Sequence, residues 1–342
     1  MPIVQISRIQ HRRGKRTDLP QLAAGELGWV VDEQRLFIGN GTVSDGAPAV
    51  GNTEIVTNGS SAFTTALSHT YKGYLEQQTP IVTGASGDVT RTLQQRLDDY
   101  VSVKDFGAVG DDSTADVAAI QRAIDELYRD TDTTVSNDAR ARRVLFFPAG
   151  TYKINASLTI PPFAHLVGEG PDKTIIKNSA SAPAMVTEDD EGQTYGNIGD
   201  SSATTPTQIQ ISNMTVRTTV AYGGLSIDNA TKVFIDNVKF QGTFVSGGTD
   251  SSNSKGVTVR STTVLPCANV VFNQCQFTGF ARLVDMSFDV TNVRFTNCDF
   301  STAYYGALLG AEMDGSTNGL TKGPRDVQFI SSSWNTIGQQ AI

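Results

Sequence analysis

The chain has 342 residues, of which 39% are hydrophobic and 18% charged, and its formal net charge at pH 7 is −8. Residues 1–41 hold six Lys/Arg and four Asp/Glu, a balance of +2, whereas the remainder holds 21 and 31, a balance of −10. Such an acidic body argues against nucleic acid as the ligand. No segment has the apolar length of a membrane span, and the N-terminus lacks the apolar stretch of a signal peptide, so we expect cytoplasmic synthesis and no membrane insertion.

Residues 1–56 are predicted to form a small β module. Gly28-Trp-Val-Val31 and Arg35-Leu-Phe-Ile38 flank a polar Asp32-Glu33-Gln34 segment, which indicates a β-hairpin. A basic cluster precedes the hairpin and is interpreted as a protein-docking surface or a solvated turn rather than a nucleic-acid patch. The cluster consists of Arg12, Arg13, Lys15 and Arg16.

Several short motifs follow one another in this module. They are Arg12-Arg13-Gly14, Leu19-Pro20, Gly25-Glu26-Leu27-Gly28 and Leu36-Phe37-Ile38-Gly39-Asn40-Gly41. In this order they resemble the N-terminal module of phage tail-fibre and tropism-determinant proteins. The resemblance implies an interwoven homotrimer that fixes the fibre to other tail or baseplate proteins of the virion, and we expect the basic cluster to take part in that docking.

Residues 57–100 are polar, rich in Ser, Thr and Gly, and predicted to form a helical or extended stalk. Apolar residues recur there at helical spacing in two stretches: Phe63, Leu67, Thr70 and Tyr74, and then Val89, Leu93 and Leu97. Both stretches are compatible with amphipathic helices on a threefold stalk or with ordinary packed helices.

A second group of motifs begins at the end of the stalk. The segments, in order, are Arg91–Asp111, Ala118–Ile124, Val144–Ile154 and Leu166–Gly170. They are similar to the first segments of phage tailspike proteins of the pectate-lyase-like superfamily. The resemblance implies a parallel β-helix over residues 101–342. One departure is Gly110-Asp111-Asp112-Ser113, where the family more often has Gly-Asp-Gly, and it concerns local turn geometry.

A helix is predicted near residues 116–130. One apolar face is formed by Val117, Ile120, Ile124, Leu127 and Tyr128. Ser113 and Asp116 have the spacing of a capping box, and Asp111 and Asp112 are interpreted as turn or cap residues rather than metal ligands. Because the open end of a solenoid exposes its core and unpaired strand edges, we expect this helix to cover it.

Five copies of one pattern occupy the last 135 residues. They are Ile211-Ser-Asn-Met-Thr-Val216, Ile235-Asp-Asn-Val-Lys-Phe240, Phe272-Asn-Gln-Cys-Gln-Phe277, Phe295-Thr-Asn-Cys-Asp-Phe300 and Phe329-Ile-Ser-Ser-Ser-Trp334. The steps between them are 24, 37, 23 and 34 residues, a period of about two dozen with insertions. Because each copy alternates apolar and polar residues, the pattern predicts a mainly β fold, a right-handed parallel β-helix whose equivalent residues stack in columns.

Two slots within the repeat have distinct roles. The third residue is Asn, Gln or Ser in every copy, types that bond neighbours or turn the backbone. The fourth slot holds Cys275 and Cys298, which we expect to lie one above the other as buried thiols rather than as a disulfide. With Cys267 the cysteine count is odd, and no cysteine or histidine spacing predicts a metal or cofactor site.

Three acidic groups are candidates for catalysis. Glu188-Asp-Asp-Glu191 is predicted to be a solvated loop, and Asp285 and Asp289 are predicted on one strand at roughly 13 Å, too far for a paired-carboxylate glycosidase. Glu312 and Asp314 would project together at roughly 7 Å, near the separation used by inverting glycosidases, and they are the candidate catalytic pair.

The N-terminal module, the repeats and the acidic residues together suggest three functions. The first hypothesis is a virion tail fibre or tailspike that docks by its N-terminus and presents the β-helix to the host, with a surface glycan as an open candidate for its ligand. The alternative is a polysaccharide depolymerase, hydrolase or lyase, of the same architecture, although only Glu312 and Asp314 favour an enzyme, and a free pectin-acting enzyme is third. Since no cap follows the fifth repeat, either the native chain continues past Ile342 or another chain covers that end.

Overall fold

The structure is a computed structural model, and it describes residues 12–45, 50–55, 68–70, 90–93, 97, 99–129, 143–198, 204–262, 265–310 and 323–340. The chain forms two compact units, residues 1–98 and 99–342. The first holds a small β-sheet and the second a long parallel β-sheet wound into a β-helix. The predicted fold class is confirmed.

The first unit contains a four-stranded sheet in the order β1-β2-β3-β4. Its strands are β1 (Arg12–Gly14), β2 (Leu27–Val30), β3 (Arg35–Gly39) and β4 (Asn52–Ile55), with short 3-10 helices at Arg16–Asp18 and Val43–Asp45. The predicted hairpin is β2 paired antiparallel with β3. Leu22, Val30 and Phe37 form its small core, against which Leu19 packs.

Gly39 explains one of the motifs in this unit. A Cβ atom at this position would lie 2.1 Å from the carbonyl oxygen of Ala23, so only glycine fits where the two backbones cross. Gly39 also forms two backbone hydrogen bonds with the segment before β2. Its N–H donates to the Glu26 carbonyl, and its carbonyl accepts from the Gly25 N–H, each at 2.9 Å. The glycine of the Leu36–Gly41 motif therefore fixes how the chain before β2 packs on β3.

The stalk was predicted to be helical or extended, and the structure shows extended backbone at residues 68–70 and 90–92. Strands β5 (Ser68–Thr70) and β6 (Thr90–Thr92) pair antiparallel. Three of the six strand residues are threonines, whose branched Cβ favours extended backbone over helix. Leu93 and Leu97 are helical, and most of the remaining residues of the two predicted patterns lie outside the described residues.

Each full coil of the second unit has three strand segments, which we call faces A, B and C in chain order. Face A consists of β7 (Val101–Ser102), β9 (Leu145–Phe147), β12 (His165–Gly168), the first halves of β15 (Thr207–Thr218) and β17 (Thr231–Gln241), β19 (Cys267–Asn273), β21 (Val290–Thr296) and β23 (Arg325–Ile330).

Face B consists of β8 (Asp111–Ala115), β10 (Gly150–Ile154), β13 (Thr174–Asn178), the second halves of β15 and β17, and the first parts of β20 (Gln276–Ser287), β22 (Asp299–Leu309) and β24 (Ser333–Gln340). Face C consists of β11 (Leu158–Ile160), β14 (Met185–Thr187), β16 (Leu225–Asp228), β18 (Lys255–Arg260) and the remaining parts of β20, β22 and β24.

The five repeat copies stack in register, as predicted. Their first residues, Ile211, Ile235, Phe272, Phe295 and Phe329, are successive register partners on face A. The ring centroids of Phe272 and Phe295 are 4.6 Å apart and nearly parallel, and those of Phe295 and Phe329 are 4.8 Å apart. Each such aromatic pair contributes about 0.5–1.5 kcal/mol beyond the area it buries.

The polar slot turns the chain from face A to face B. Asn213, Asn237, Gln274, Asn297 and Ser331 all have left-handed backbone, with φ between 50° and 56°. Asn is among the few residues that adopt this conformation readily. The Asn237 amide also donates to the Asn213 side-chain oxygen at 2.8 Å, which joins the turns of these two adjacent coils.

The helix predicted near 116–130 is α1 (Val117–Tyr128), and it packs on the first coils of the β-helix core. The predicted capping box is wrong. Asp116 itself is the N-cap residue, and its carboxylate accepts from the N–H groups of Val109 and Gly110 at 2.7 and 3.1 Å. A capping box is present instead at the 3-10 helix Val103–Phe106, between Ser102 and Asp105. A further 3-10 helix spans Tyr195–Asn197.

All three cysteines are buried and free, as predicted for Cys275 and Cys298. Cys275 and Cys298 follow the left-handed turn residues of adjacent coils. The Cys275 thiol lies 3.5 Å from the Ile235 carbonyl oxygen, and burial raises the pKa of the Cys267 thiol to about 12. These thiols are small residues of the hydrophobic core.

Candidate functional site

The basic cluster predicted to dock lies in β1 and the following 3-10 helix. Arg12 forms an ion pair with Glu26 at 2.6 Å, and the Arg16 guanidinium lies 4.5 Å from the centroid of the Phe37 ring. The side chains of Arg13 and Lys15 form no ion pair or hydrogen bond with any described residue. Two cations are thus held by the module itself, and two remain available to a partner.

A cleft of about 430 Å³ opens beside these two cations. Its lining consists of Arg12, Arg13, Gly14, Lys15, Asp18, Leu19, Pro20 and Trp29. A cationic rim beside proline and tryptophan suits a protein partner, because interfaces are enriched in aromatic residues and arginine.

The predicted catalytic pair, Glu312 and Asp314, lies outside the described residues. The prediction that they act together stays a prediction.

Face C carries a buried carboxylate that the sequence analysis did not single out. Asp228, at the end of β16, is 0% exposed, and Arg260 of the next coil approaches it at 2.5 and 3.2 Å. Ser226 Oγ donates to the same carboxylate at 3.0 Å, and the Tyr195 ring stacks 3.7 Å from the Arg260 guanidinium carbon. The Asp228 side chain therefore lies between a hydroxyl and a guanidinium, with an aromatic ring covering the arginine.

Asp285 anchors a second charged group on face C. It lies 3.1 Å from an Arg282 nitrogen and 3.2 Å from Lys255. Arg282 also donates to both oxygens of Asp250 at 3.0 and 2.7 Å. The Arg282 hydrogen bond holds the pKa of the Asp250 carboxyl below its ordinary value, and the same bond raises the pKa of Arg282.

The predicted placement of Asp285 and Asp289 on one strand is wrong. β20 ends at Ser287, and Phe288 has left-handed backbone with φ 65°, so Asp289 lies beyond the turn. Asp289 instead pairs with Arg325 at 2.6 Å.

The acidic run from Glu188 to Glu191 is also not the solvated loop that its composition predicted. Glu188 and Asp189 are buried, and Glu188 accepts a hydrogen bond from Arg129 just after α1. Burial raises the pKa of the Glu188 carboxyl, against the opposing effect of Arg129. Asp189 accepts from the N–H groups of Glu191 and Gln193 at 3.1 and 2.7 Å, which makes it a turn residue.

The spacing of Asp228 and Asp285 limits what face C can do. They are two coils apart, because Asp228 pairs with Arg260 and Arg260 with Ser287, and Asp285 lies two residues before Ser287. Strand geometry then places their Cα atoms about 12 Å apart. Glycosidases need two carboxyl groups about 5–9.5 Å apart that face the substrate, whereas Asp228 and Asp285 are buried and already paired with Arg260 and Arg282, so they are not such a pair.

Among the described residues, no group of three or more His, Cys, Asp or Glu is placed to hold a metal ion. Within the same residues, no helix is long and apolar enough to cross a membrane.

A family model described as rhamnogalacturonase A/epimerase, pectate lyase-like, matches residues 100–318, well over half of the chain. The chain belongs to this pectate-lyase-like family. A second model, the major tropism determinant N-terminal domain, matches residues 9–43, which include the basic cluster and the hairpin. Both resemblances stated from the sequence are therefore confirmed.

Curated relatives of this pectate-lyase-like chain are enzymes. It is 41% identical over 86 residues to the mannuronan C5-epimerase AlgE2 of Azotobacter vinelandii, covering 23% of the chain and 8% of that enzyme. It is 26% identical over 215 residues to a probable glucan endo-1,3-beta-glucosidase of Arthroderma benhamiae, covering 58% and 23%. The chain thus spans less than a quarter of the length of either relative.

Solved structures similar in fold include two phage tailspikes. Tailspike protein gp49 of the Acinetobacter baumannii bacteriophage Fri1, a capsular polysaccharide depolymerase, has a TM-score of 0.48 at 16% identity and covers 74% of this chain and 43% of that one. Tailspike protein 3 of bacteriophage CBA120 has a TM-score of 0.46 at 14% identity and covers 85% and 48%.

Proposed function

We propose that this chain is a bacteriophage tail fibre or tailspike protein. It assembles as a homotrimer, docks on a tail or baseplate protein through its N-terminal unit, and presents the β-helix to a glycan of the host surface. The observation that carries the proposal is the order of two modules in one chain. A tropism-determinant N-terminal domain at 9–43 precedes a pectate-lyase-like domain at 100–318.

The free cations of the basic cluster support the docking step. Arg13 and Lys15 are available beside the cleft, whereas Arg12 and Arg16 have contacts within their own module. Charged groups at an interface steer association and fix its register, so an acidic patch on the virion partner is the expected complement. The acidic remainder of the chain favours solubility of the projecting part.

Incorporation into particles tests this proposal. The variant Arg13→Glu/Lys15→Glu is compared with Lys232→Glu/Arg294→Glu, which makes the same charge change at exposed positions on face A. We expect the first variant to fold, by circular dichroism and thermal unfolding, yet to be depleted from purified particles. The second should be incorporated normally. Normal incorporation of the Arg13/Lys15 variant would contradict the proposed docking.

The second candidate is a polysaccharide depolymerase or epimerase. It is favoured by the description of the family model that matches residues 100–318. Glu312 and Asp314 remain its proposed acid pair. The purified protein would be incubated with host surface polysaccharide while reducing ends and unsaturated uronate absorbance are followed. Turnover that is abolished by Glu312→Gln or Asp314→Asn in a folded protein would establish the enzyme and displace the pure binding function.

A further inference from the structure

Three cations lie one above another on face B of the β-helix. Lys153 of β10 is the register partner of Lys177 in β13, and Lys177 is the partner of Arg217 in β15. Strands in such a ladder are about 4.8 Å apart, so three successive coils place three positive charges in one column. Lys239 lies one coil further, in the neighbouring column. We call Lys153, Lys177 and Arg217 the cation column.

The protein neutralises only part of this charge. Both oxygens of Asp112 accept from the Lys177 amino group, at 2.7 and 2.9 Å, and Asp172 lies 3.6 Å from Lys239. Asp172 is 90% exposed, so water screens that second pair strongly.

Arg217 and Lys153 have nitrogen donors that remain available to a ligand. Arg217 Nε donates to Gln241 Oε1 at 2.9 Å, which orients the guanidinium along the column. The terminal nitrogens of Arg217 and the amino group of Lys153 have no acceptor among the described residues. Like charges opposite one another on adjacent strands destabilise a sheet, and a bound anion would remove that repulsion.

The column continues beyond the cations with neutral hydrogen-bonding groups. Gln241, Thr278, Ser301 and Asn335 follow Arg217 in register over the next four coils. Such groups suit the hydroxyls of a sugar chain. No aromatic ring stands in the column from Lys153 to Asn335, and single-stranded nucleic acids are bound on aromatic rings that stack their bases. The residues therefore favour a carboxylated polysaccharide over a nucleic acid.

We infer that the cation column is a binding track for a carboxylate-bearing polysaccharide that runs along the β-helix axis. Arg217 binds a carboxylate through its two free terminal nitrogens, Lys153 binds a second, and the neutral groups beyond bind hydroxyls. The inference deepens the proposed host-surface recognition and rests on it for its biological setting. The track is on face B, and it is distinct from the charged groups of face C.

The test measures binding of the full-length protein to defined polymers by affinity electrophoresis and calorimetry. The probes are polygalacturonate, alginate and hyaluronate, with dextran as the uncharged polymer and a single-stranded DNA oligonucleotide as the nucleic acid. The test variant is Lys153→Gln/Arg217→Gln. The control, Lys232→Gln/Arg294→Gln, removes the same charge from face A.

We expect the wild type to bind at least one carboxylated polymer, but not dextran. The test variant should lose about tenfold or more in affinity, since each charge-assisted hydrogen bond contributes roughly that factor. The control should stay within about twofold of wild type, since its cations lie off the track. Thermal unfolding shows whether both variants are folded. Should the test variant not fold, the milder Lys153→Met alone is used, with an expected loss of a few-fold.

Several outcomes would overturn the inference. They are failure of the wild type to bind any of the three polymers, equal losses in test and control variants, and tighter binding of DNA than of the polysaccharides. These measurements use the purified protein and do not depend on docking. A failed track with normal particle incorporation would therefore reject only the inference, and failed incorporation with intact polymer binding would reject only the proposed docking.

Discussion

The left-handed turn between faces A and B can be tested at Asn237 with two substitutions. Its φ is 50°, and its side-chain amide donates to Asn213 across adjacent coils. Asn237→Ala removes the hydrogen bond and also forces a Cβ-bearing residue without a polar side chain to keep the left-handed backbone. Asn237→Gly removes the same hydrogen bond, but glycine adopts this backbone without steric cost.

The expected losses of stability follow from the missing hydrogen bond and the cost of left-handed backbone. Loss of the half-buried hydrogen bond costs about 1 kcal/mol, and left-handed backbone costs an alanine about 1 kcal/mol more than asparagine. Asn237→Ala should therefore lower the free energy of unfolding by about 2 kcal/mol and Asn237→Gly by about 1 kcal/mol. The order is the reverse of an ordinary strand position, where glycine is worse than alanine by about 0.5–1 kcal/mol.

Asn273 supplies the matched control. It also bonds across coils, with its amide donating to Asp236 at 2.7 Å, but it lies in β19 with ordinary extended backbone. Urea unfolding of all four variants at one protein concentration gives the comparison. Glycine should be the better substitute at 237 and the worse one at 273. A glycine variant at 237 that is less stable than the alanine variant would contradict the stated role of left-handed backbone at this position.

Three further predictions concern the core and the ion pairs. Phe295→Ala removes a ring stacked between two others and should cost about 4 kcal/mol, measured by urea unfolding; a loss below about 1 kcal/mol would contradict the stacked core. Asp228→Asn leaves the partly buried Arg260 without its anion and should cost about 2 kcal/mol in the same assay, and an unchanged midpoint would argue against the pair. Asp250→Asn should be less stable than wild type by about 1 kcal/mol at pH 7. Because the pKa of the Asp250 carboxyl is lowered by Arg282, this difference should persist down to about pH 3.9 and shrink only below it; a difference that vanishes already at pH 6 would show that the pair is not the cause.

The repeats could be predicted because their information is local. Alternation within six residues decides which side chains face inward, and the near-constant step brings Ile211, Ile235 and Phe272 into one column. The same local pattern marked the turn residues, since Asn213 and Asn237 are of the type that left-handed backbone selects.

The charged groups could not be found in this way, because their partners come from different coils. Arg260 is 32 residues from Asp228, and Glu188 is 59 residues from Arg129, with insertions of variable length between them. The cation column was missed for the same reason, since Lys153 and Lys177 meet only once the register is known. The helical spacing around residue 70 did not predict a helix correctly, because Ser68–Thr70 pairs with Thr90–Thr92 as an antiparallel β-strand.

Labelling of intact phage particles shows which end of the chain is attached to the virion. Gold-conjugated antibodies raised against residues 12–45 and against residues 204–262 would be applied to purified particles before and after dissociation of the tail. We expect the β-helix to be labelled on intact particles, at the tail, and the N-terminal unit to be labelled only after dissociation. Absence of both labels at every stage, or equal labelling of both regions on intact particles, would contradict it.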